Sequence, residues 1–331
     1  MALQTGHKSF GEQARHYFLR PQKTIPCTPL ACSAAWMGNQ LTGRSKSWTR
    51  YLNTEDLQQL HNAVTRLIRQ GVRLEETGPH HFTIGSLAEK IGDWREQIVN
   101  GYGFILVKGL PVDSWSLEEI EYAYWGIGHH LGIPGAQNPD QELLGHVKDY
   151  GESRDSPFVR LYRTSANIDF HCDAADVVGL LCLQPAASGG QSLLVSTVTL
   201  FNRLLAEKPE LVEYLFKPFK LDARGEHSSN QKPYNEIPIA CFADDHLRTF
   251  YHSEYFRSVE RLEGVSLSKE EREILDFYDE TAAEPDVHLA MWLEKGDMQF
   301  ISNHTLAHSR TAYINNPHSP RHLLRLWLSL P

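Results

Sequence analysis

Several features that would have narrowed the function at once are missing from this sequence. No apolar run approaches the ~20 residues needed to span a membrane, so no membrane partner is expected. The five cysteines (Cys27, Cys32, Cys172, Cys182, Cys241) are odd in number and form no CxxC pair. They read as reduced thiols of an intracellular protein, not as a disulfide framework. There is no basic excess, since Lys plus Arg is 32 against 41 for Asp plus Glu, a net charge of −9. That argues against nucleic acid as a partner. The Gly101-Tyr102-Gly103 run precedes a strand with no helix at once behind it, so it is not a dinucleotide fingerprint. Internal repeats, low-complexity tracts and a secretory apolar region are also lacking. Only the first fifty residues lean basic, with Lys8, Arg15, Arg20, Lys23, Arg44, Lys46 and Arg50 against Glu12 alone. They are read as a solvated arm of a cytoplasmic protein; a mitochondrial transit peptide is the alternative.

What is present is ordinary globular composition: 331 residues, 41% hydrophobic and 22% charged, enough for a large core. Residues 1–30 have weak periodicity and several turn formers, and predict an irregular arm. Thr54-Glu55-Asp56 opens a helix, with the Thr54 hydroxyl as its cap, acids in the first turn and apolar positions Leu57, Leu60, Val64, Leu67 and Ile68, ending at Gly71. A second helix is expected from Ser86 to Gly101, and a buried strand over Phe104–Lys108 between glycines. Ser116 and Glu119 form a capping box for a helix to about Leu131. Residues 132–160, rich in Gly, Pro, Asn and Asp, read as a long surface excursion and a candidate lid. From 161 onward the pattern is β, with strands near 177–183, 192–196, 287–294, 298–302 and 321–328, and a capped helix at Ser268–Glu271. The expectation is a mainly β chain with flanking helices around a double-stranded β-helix (jelly roll) core. It is taken as one domain, 1–331: an arm at 1–30, a mainly helical support at 31–100, and the jelly-roll core with helical insertions at 101–331.

The chemistry gathers at Phe170-His171-Cys172-Asp173. On an extended strand residues i and i+2 share a face, so His171 and Asp173 project side by side and Cys172 turns away. An imidazole and a carboxylate are two of the three protein ligands of the 2-His-1-carboxylate facial triad of non-haem Fe(II) oxygenases, which leaves the other metal positions open. With 17 histidines in the chain the pair says little by itself. A third ligand has to come from a distant strand, and His308 in Asn303-His304-Thr305-Leu306-Ala307-His308-Ser309-Arg310 is the candidate. His304 lacks the glutamate of a helical zinc motif and is read as structural. His129-His130 is placed at a helix C-terminus, where the dipole favours histidine, and His80-His81 at the surface.

On the last strand Arg321, Leu323, Arg325 and Trp327 share one face, and His322, Leu324, Leu326 and Leu328 the other. Two arginines four residues apart on one face, roughly 13 Å along the strand, among Leu and Trp need anionic partners, and a guanidinium suits carboxylates through paired hydrogen bonds. The plain alternative is a pair of structural salt bridges or an exposed edge.

Taken together these pieces resemble the taurine dioxygenase/clavaminate synthase-like family of Fe(II)/2-oxoglutarate-dependent oxygenases. The matching residues are His171 and Asp173, then Gly189-Gly190-Gln191-Ser192, and the closing run Asn303…His308-Ser309-Arg310…Arg321-His322-Leu323-Leu324-Arg325. Upstream matches are Gly103–Gly109, Gly132-Ile133-Pro134 and Gly145-His146-Val147, so the resemblance covers roughly residues 35–331. It implies His171, Asp173 and His308 as iron ligands. It implies Arg321, helped by the Ser192 hydroxyl, at the distal carboxylate of 2-oxoglutarate; many relatives have Thr at the Ser192 position. It implies Arg325, with Asn167 four residues before the first ligand, at an acidic substrate.

The expected activity is therefore that of an oxidoreductase, a dioxygenase using Fe(II), 2-oxoglutarate and O2 to oxidise a small, acidic organic molecule with release of succinate and CO2. Hydroxylation is the default outcome; desaturation, ring closure and epoxidation start from the same point. A homo-oligomer is left open. Two rivals stand beside this reading: a cupin-like hydrolase or isomerase without 2-oxoglutarate, and a catalytically silent binding protein on the same barrel.

Overall fold

The structure is a computed structural model that describes residues 6–152, 160–226 and 231–331. Its strands fall into two main sheets. The larger contains β1 (Thr49–Tyr51), β2 (Phe104–Lys108), β3 (Ile133–Gly135) and β4 (Gly145–Val147). The chain then crosses from β5 (Ile168–His171), in the smaller sheet, to β6 (Val177–Gln184), in the larger, and returns with β7 (Ser192–Ser196). After a helical and hairpin insertion come β8 (Leu289–Met291), β9 (Met298–Ser302), β10 (Leu306–Arg310) and β11 (His322–Ser329). The larger sheet runs β1-β2-β9-β6-β11-β3, with β4 also on β11; the smaller runs β8-β7-β10-β5. Only the β1–β2 pair in these sheets is parallel.

Alternation along the strands sorts side chains into layers. Between the sheets lie Phe104, Leu106, Val178, Ile301 and Trp327 from one and Leu194, Leu289, Met291 and Leu306 from the other. On the outer face of the larger sheet, Ile105, Val107, Leu181, Phe300, Leu324, Leu326 and Leu328 pack against helices Thr54–Arg69, Ser86–Asn100 and Leu117–Leu131. Val195 and Ala307 on the far side of the smaller sheet meet helices Thr197–Glu207 and Lys269–Ala283. The two faces of β11 are thus divided as its alternation predicts. Among the described residues no helix is long and apolar enough to cross a membrane.

Three expectations change. The arm is not irregular throughout: Phe10–Phe18 is a helix with a Ser9/Glu12 capping box, and it buries Tyr17 and Gln13. Tyr17 donates to the Asn303 carbonyl at 2.9 Å, which ties the helix to the turn before β10. The cap of the next long helix is Asn53, whose side chain accepts from the Asp56 N–H, and not a Thr54 hydroxyl. Residues 132–147 are no surface excursion, because β3 and β4 both pair with β11. Their glycines serve close approach: a Cβ on Gly132 would lie 2.7 Å from the Ser329 carbonyl oxygen. The rest of the lid expectation falls partly on residues 153–159, outside the described residues.

Candidate active site

β5 and β10 run antiparallel with His171 directly opposite His308, their ring centroids 4.2 Å apart. The Nδ1–H of His171 donates to the Asp169 carbonyl at 2.9 Å, which leaves Nε2 for the cavity. Asp173 is not on the strand, which ends at His171. The backbone just past it is nonetheless held, because the Cys172 N–H donates to the Tyr251 carbonyl at 2.6 Å and the Asp173 N–H to the Asn303 side chain at 3.2 Å. Cys172 accordingly turns to the Leu306 carbonyl. Donor atoms of His171, Asp173 and His308 all lie within 4.8 Å of one another. His304 stays out of this group: it bonds Asp176 at 2.7 Å and stacks on Tyr17.

Electrostatics prepare the cluster for a cation. Burial, reinforced by His171, pushes the His308 pKa down to about 3, so its ring is neutral with a free lone pair. Burial opposes ionisation of Asp173, but Arg325, His308, His171 and the Trp327 indole outweigh it and hold the carboxyl below its ordinary range. Two imidazoles and one carboxylate are the donor set suited to non-haem Fe(II), and the residues present fit that ion.

The cluster opens into a cavity of about 320 Å³ lined by, among others, Ser192, Arg310, Arg321, Leu323, Arg325 and Trp327. Arg325 reaches within 3.8 Å of the Asp173 Oδ2, and its Nε–H donates to Gln137 at 2.6 Å while the Gln137 amide donates back to the Arg325 carbonyl. Arg321 is only 5% exposed. Its Nη1 is buried with no hydrogen-bond partner, an orphan donor of the kind an anionic ligand satisfies. Asn167 does not reach the cavity wall; its amide donates to Asp169 at 2.8 Å. The cause is a β-bulge: His308 faces His171 but Arg310 faces Ile168, three residues back for two, so β5 loses its alternation and Ile168 takes the cavity side.

A model of the family described as "Taurine catabolism dioxygenase TauD, TfdA family" matches residues 69–327. The chain belongs to the TauD/TfdA family. FR-33289 synthase of Streptomyces rubellomurinus is 29% identical over 308 residues, 91% of this chain and 91% of that protein. The taurine hydroxylase-like protein SAT17 of Stachybotrys chartarum is 26% identical over 305 residues, 88% and 77% of the respective chains. Among solved structures, asparagine oxygenase with Fe(II), hydroxyasparagine and succinate superposes with a TM-score of 0.67 at 17% identity, covering 85% of this chain and 93% of that one. The iron oxygenase OrfP with Fe and alpha-ketoglutaric acid gives 0.64 at 13%, covering 86% and 94%. This TauD/TfdA chain is a non-haem iron, 2-oxoglutarate-dependent dioxygenase, an oxidoreductase. The 2-oxoglutarate-free rival falls away.

Some of the site was not foreseen. Trp327 was assigned to the cavity face without the indole N–H that it donates to Asp173 at 3.1 Å. Gln137 lies in the stretch misread as surface. His252 forms a backbone bridge to His171, with a buried Nδ1 that has no partner and a pKa driven far down by burial. Nothing in the spacing of His252 marked it.

Proposed function

We propose that this dioxygenase hydroxylates a small organic acid held by Arg325, at an iron bound through His171, Asp173 and His308. The distal carboxylate of 2-oxoglutarate then lies at Arg321 and Ser192. The carrying observation is the setting of Arg325, a guanidinium 8% exposed at the cavity wall. Gln137 fixes its Nε and the Tyr162 ring backs it at 4.5 Å, so its remaining N–H donors are held for an oxyanion. Bound iron supplies the redox chemistry that couples O2 to decarboxylation of 2-oxoglutarate, with succinate and CO2 released as a C–H bond becomes C–OH. The protein's part is placement. Trp327 and Arg325 hold the Asp173 carboxylate in one rotamer, Arg325 sets the acid end of the substrate, and Val147, Leu180, Leu293 and Leu323 keep that end of the cavity dry. The two sheets, packed face to face and joined through the β5–β6 crossing, are read as the halves of one jelly roll in one domain.

The test is Arg325→Ala with a panel of small carboxylic, sulfonic and phosphonic acids, following succinate. KM for the accepted acid should rise about tenfold or more, the cost of a lost charge-assisted contact. The visible band from anaerobic Fe(II) plus 2-oxoglutarate should titrate as before. Loss of that titration in a variant that still binds iron would move Arg325 to the cosubstrate and sink the substrate assignment.

A further inference from the structure

Arg310 belongs to the closing fingerprint, yet neither the iron cluster nor the substrate site uses it. It lies two residues from His308 on the cavity face of β10, is 7% exposed, and sits directly opposite Ser192 in the ladder. One terminal nitrogen donates to the carbonyls of Thr164, at 3.0 Å, and Ala166. Its Nε and Nη1 are buried and have no partner. Beside it, Tyr313 places its ring 4.7 Å from the guanidinium carbon of Arg310 and 4.9 Å from that of Arg321. The Tyr313 hydroxyl and Nη1 of Arg321 are buried too; the two side chains interact with each other, and neither atom has a hydrogen-bond partner of normal geometry.

Two idle donors of Arg310 thus lie beside the Tyr313–Arg321 pair, whose hydroxyl and Nη1 have no other partner, between two buried cations. Among the described residues neither guanidinium has an ion-pair partner. The acid whose field reaches Arg310 and Tyr313 is Asp149, and its carboxylate is engaged by the Gly151 N–H at 2.8 Å. Two desolvated guanidinium groups with idle donors are costly unless an anion joins them. A single carboxylate has two oxygens and about four acceptor sites, enough for both.

We propose that Arg310 and Tyr313 join Arg321 in receiving the distal carboxylate of 2-oxoglutarate, so that the site selects a 2-oxo diacid over a 2-oxo monoacid through two guanidinium groups and a phenol. This rests on the reading that Arg321 holds that carboxylate. It accounts for the orphan atoms, for the Arg310–Ser192 register, and for an arginine two residues after the histidine.

The experiment is anaerobic titration of the Fe(II) enzyme with 2-oxoglutarate and with 2-oxovalerate, which keeps the chelating end and lacks the distal carboxylate. Binding is read from the visible band, independently of turnover. Arg310→Lys should weaken 2-oxoglutarate about tenfold to a hundredfold, as loss of hydrogen bonds to a charged group implies, and leave 2-oxovalerate unchanged. Tyr313→Phe, which removes one oxygen, should act in the same direction by about tenfold or less. If Arg310→Lys fails to fold because the clamp on Thr164 and Ala166 is lost, Tyr313→Phe decides by the same pair of titrations. Equal weakening of both keto acids, or of neither, overturns the proposal. Arg321→Lys separates the two layers: if it leaves 2-oxoglutarate binding intact, the underlying reading fails. If it weakens 2-oxoglutarate while the Arg310 and Tyr313 variants do not, only the present inference fails.

Discussion

Consider Trp327→Phe. The indole N–H donates to the Asp173 Oδ2 at 3.1 Å, in a pocket where that oxygen also faces Arg325 at 3.8 Å and His308 at 3.7 Å. Phenylalanine keeps an aromatic ring against Val178 and Leu306 but offers no donor. A hydrogen bond to an ionised group is worth about 1.5–3 kcal/mol, and ~1.4 kcal/mol is a factor of ten in an equilibrium constant. The carboxylate is about nine-tenths buried and loses a fixed donor, so iron affinity should fall about tenfold to a hundredfold, as expected when a ligand loses its orienting partner. The smaller ring should also cost roughly 1–2 kcal/mol of folding stability through the void it leaves. The two effects separate by assay. Chelator competition for Co(II) or Fe(II) under argon reads the first, and urea unfolding of the metal-free protein reads the second. If the variant loses stability as expected but binds metal within twofold of the parent, the Trp327 contact does not orient Asp173 and the reasoning fails.

Two further outcomes follow from geometry away from the iron. Gly190 has φ +74°, and a Cβ there would lie 3.1 Å from the Arg321 Nε. Gly190→Ala should cost about 1–2 kcal/mol of backbone strain and weaken 2-oxoglutarate by displacing the guanidinium, measured by thermal unfolding and the anaerobic titration; unchanged 2-oxoglutarate affinity would contradict it. Asp222 is 2% exposed and takes two contacts from Arg261, at 2.7 and 2.8 Å, and one from Ser258. Burial raises its pKa, but Arg261, the Arg224 N–H and Ser258 outweigh that and hold it below the ordinary value. A carboxyl depressed on folding contributes stability above its unfolded pKa, about 4, and loses it as pH falls through the lower folded value. Asp222→Asn should therefore destabilise by about 2 kcal/mol at pH 7, below the full value for a broken buried pair because Arg261 is one-third exposed. The gap should narrow in urea unfolding below about pH 4; a gap constant from pH 7 to pH 3 would contradict the assignment.

What could be read in the sequence, and what could not, divides along a physical line. His171, Asp173, Arg321 and Arg325 were legible because each sits at a spacing with a geometric meaning, i, i+2 beside a strand end or alternate positions entering and along β11; His308 was found as the third ligand that the first two require. Alternation is local, so it survives into the fold wherever the ladder is regular. It failed at Asn167, four residues from His171, because a bulge in β5 shifts the register by one and turns every residue before it to the other face. The helix at Phe10–Phe18 had its signal in Ser9 and Glu12, but what it buries includes Gln13, a polar residue that no amphipathic count assigns to a core.

The supporting residues were hidden for a different reason. Trp327, Gln137 and Tyr313 act through partners 154, 188 and 8 positions away respectively, Asp173, Arg325 and Arg321. For the first two, proximity exists only after the sheets close; for Tyr313 the chain is short, but nothing local says that its ring will face a guanidinium. A metal ligand is constrained by chemistry to a few residue types, so composition and spacing can single it out. A residue that orients a ligand is constrained only by having a donor at the right point in space, and many side chains meet that condition. That asymmetry points, in this chain, to buried donors without acceptors, such as those of Arg310 and Arg321 at the cavity wall and the Tyr313 hydroxyl beside them.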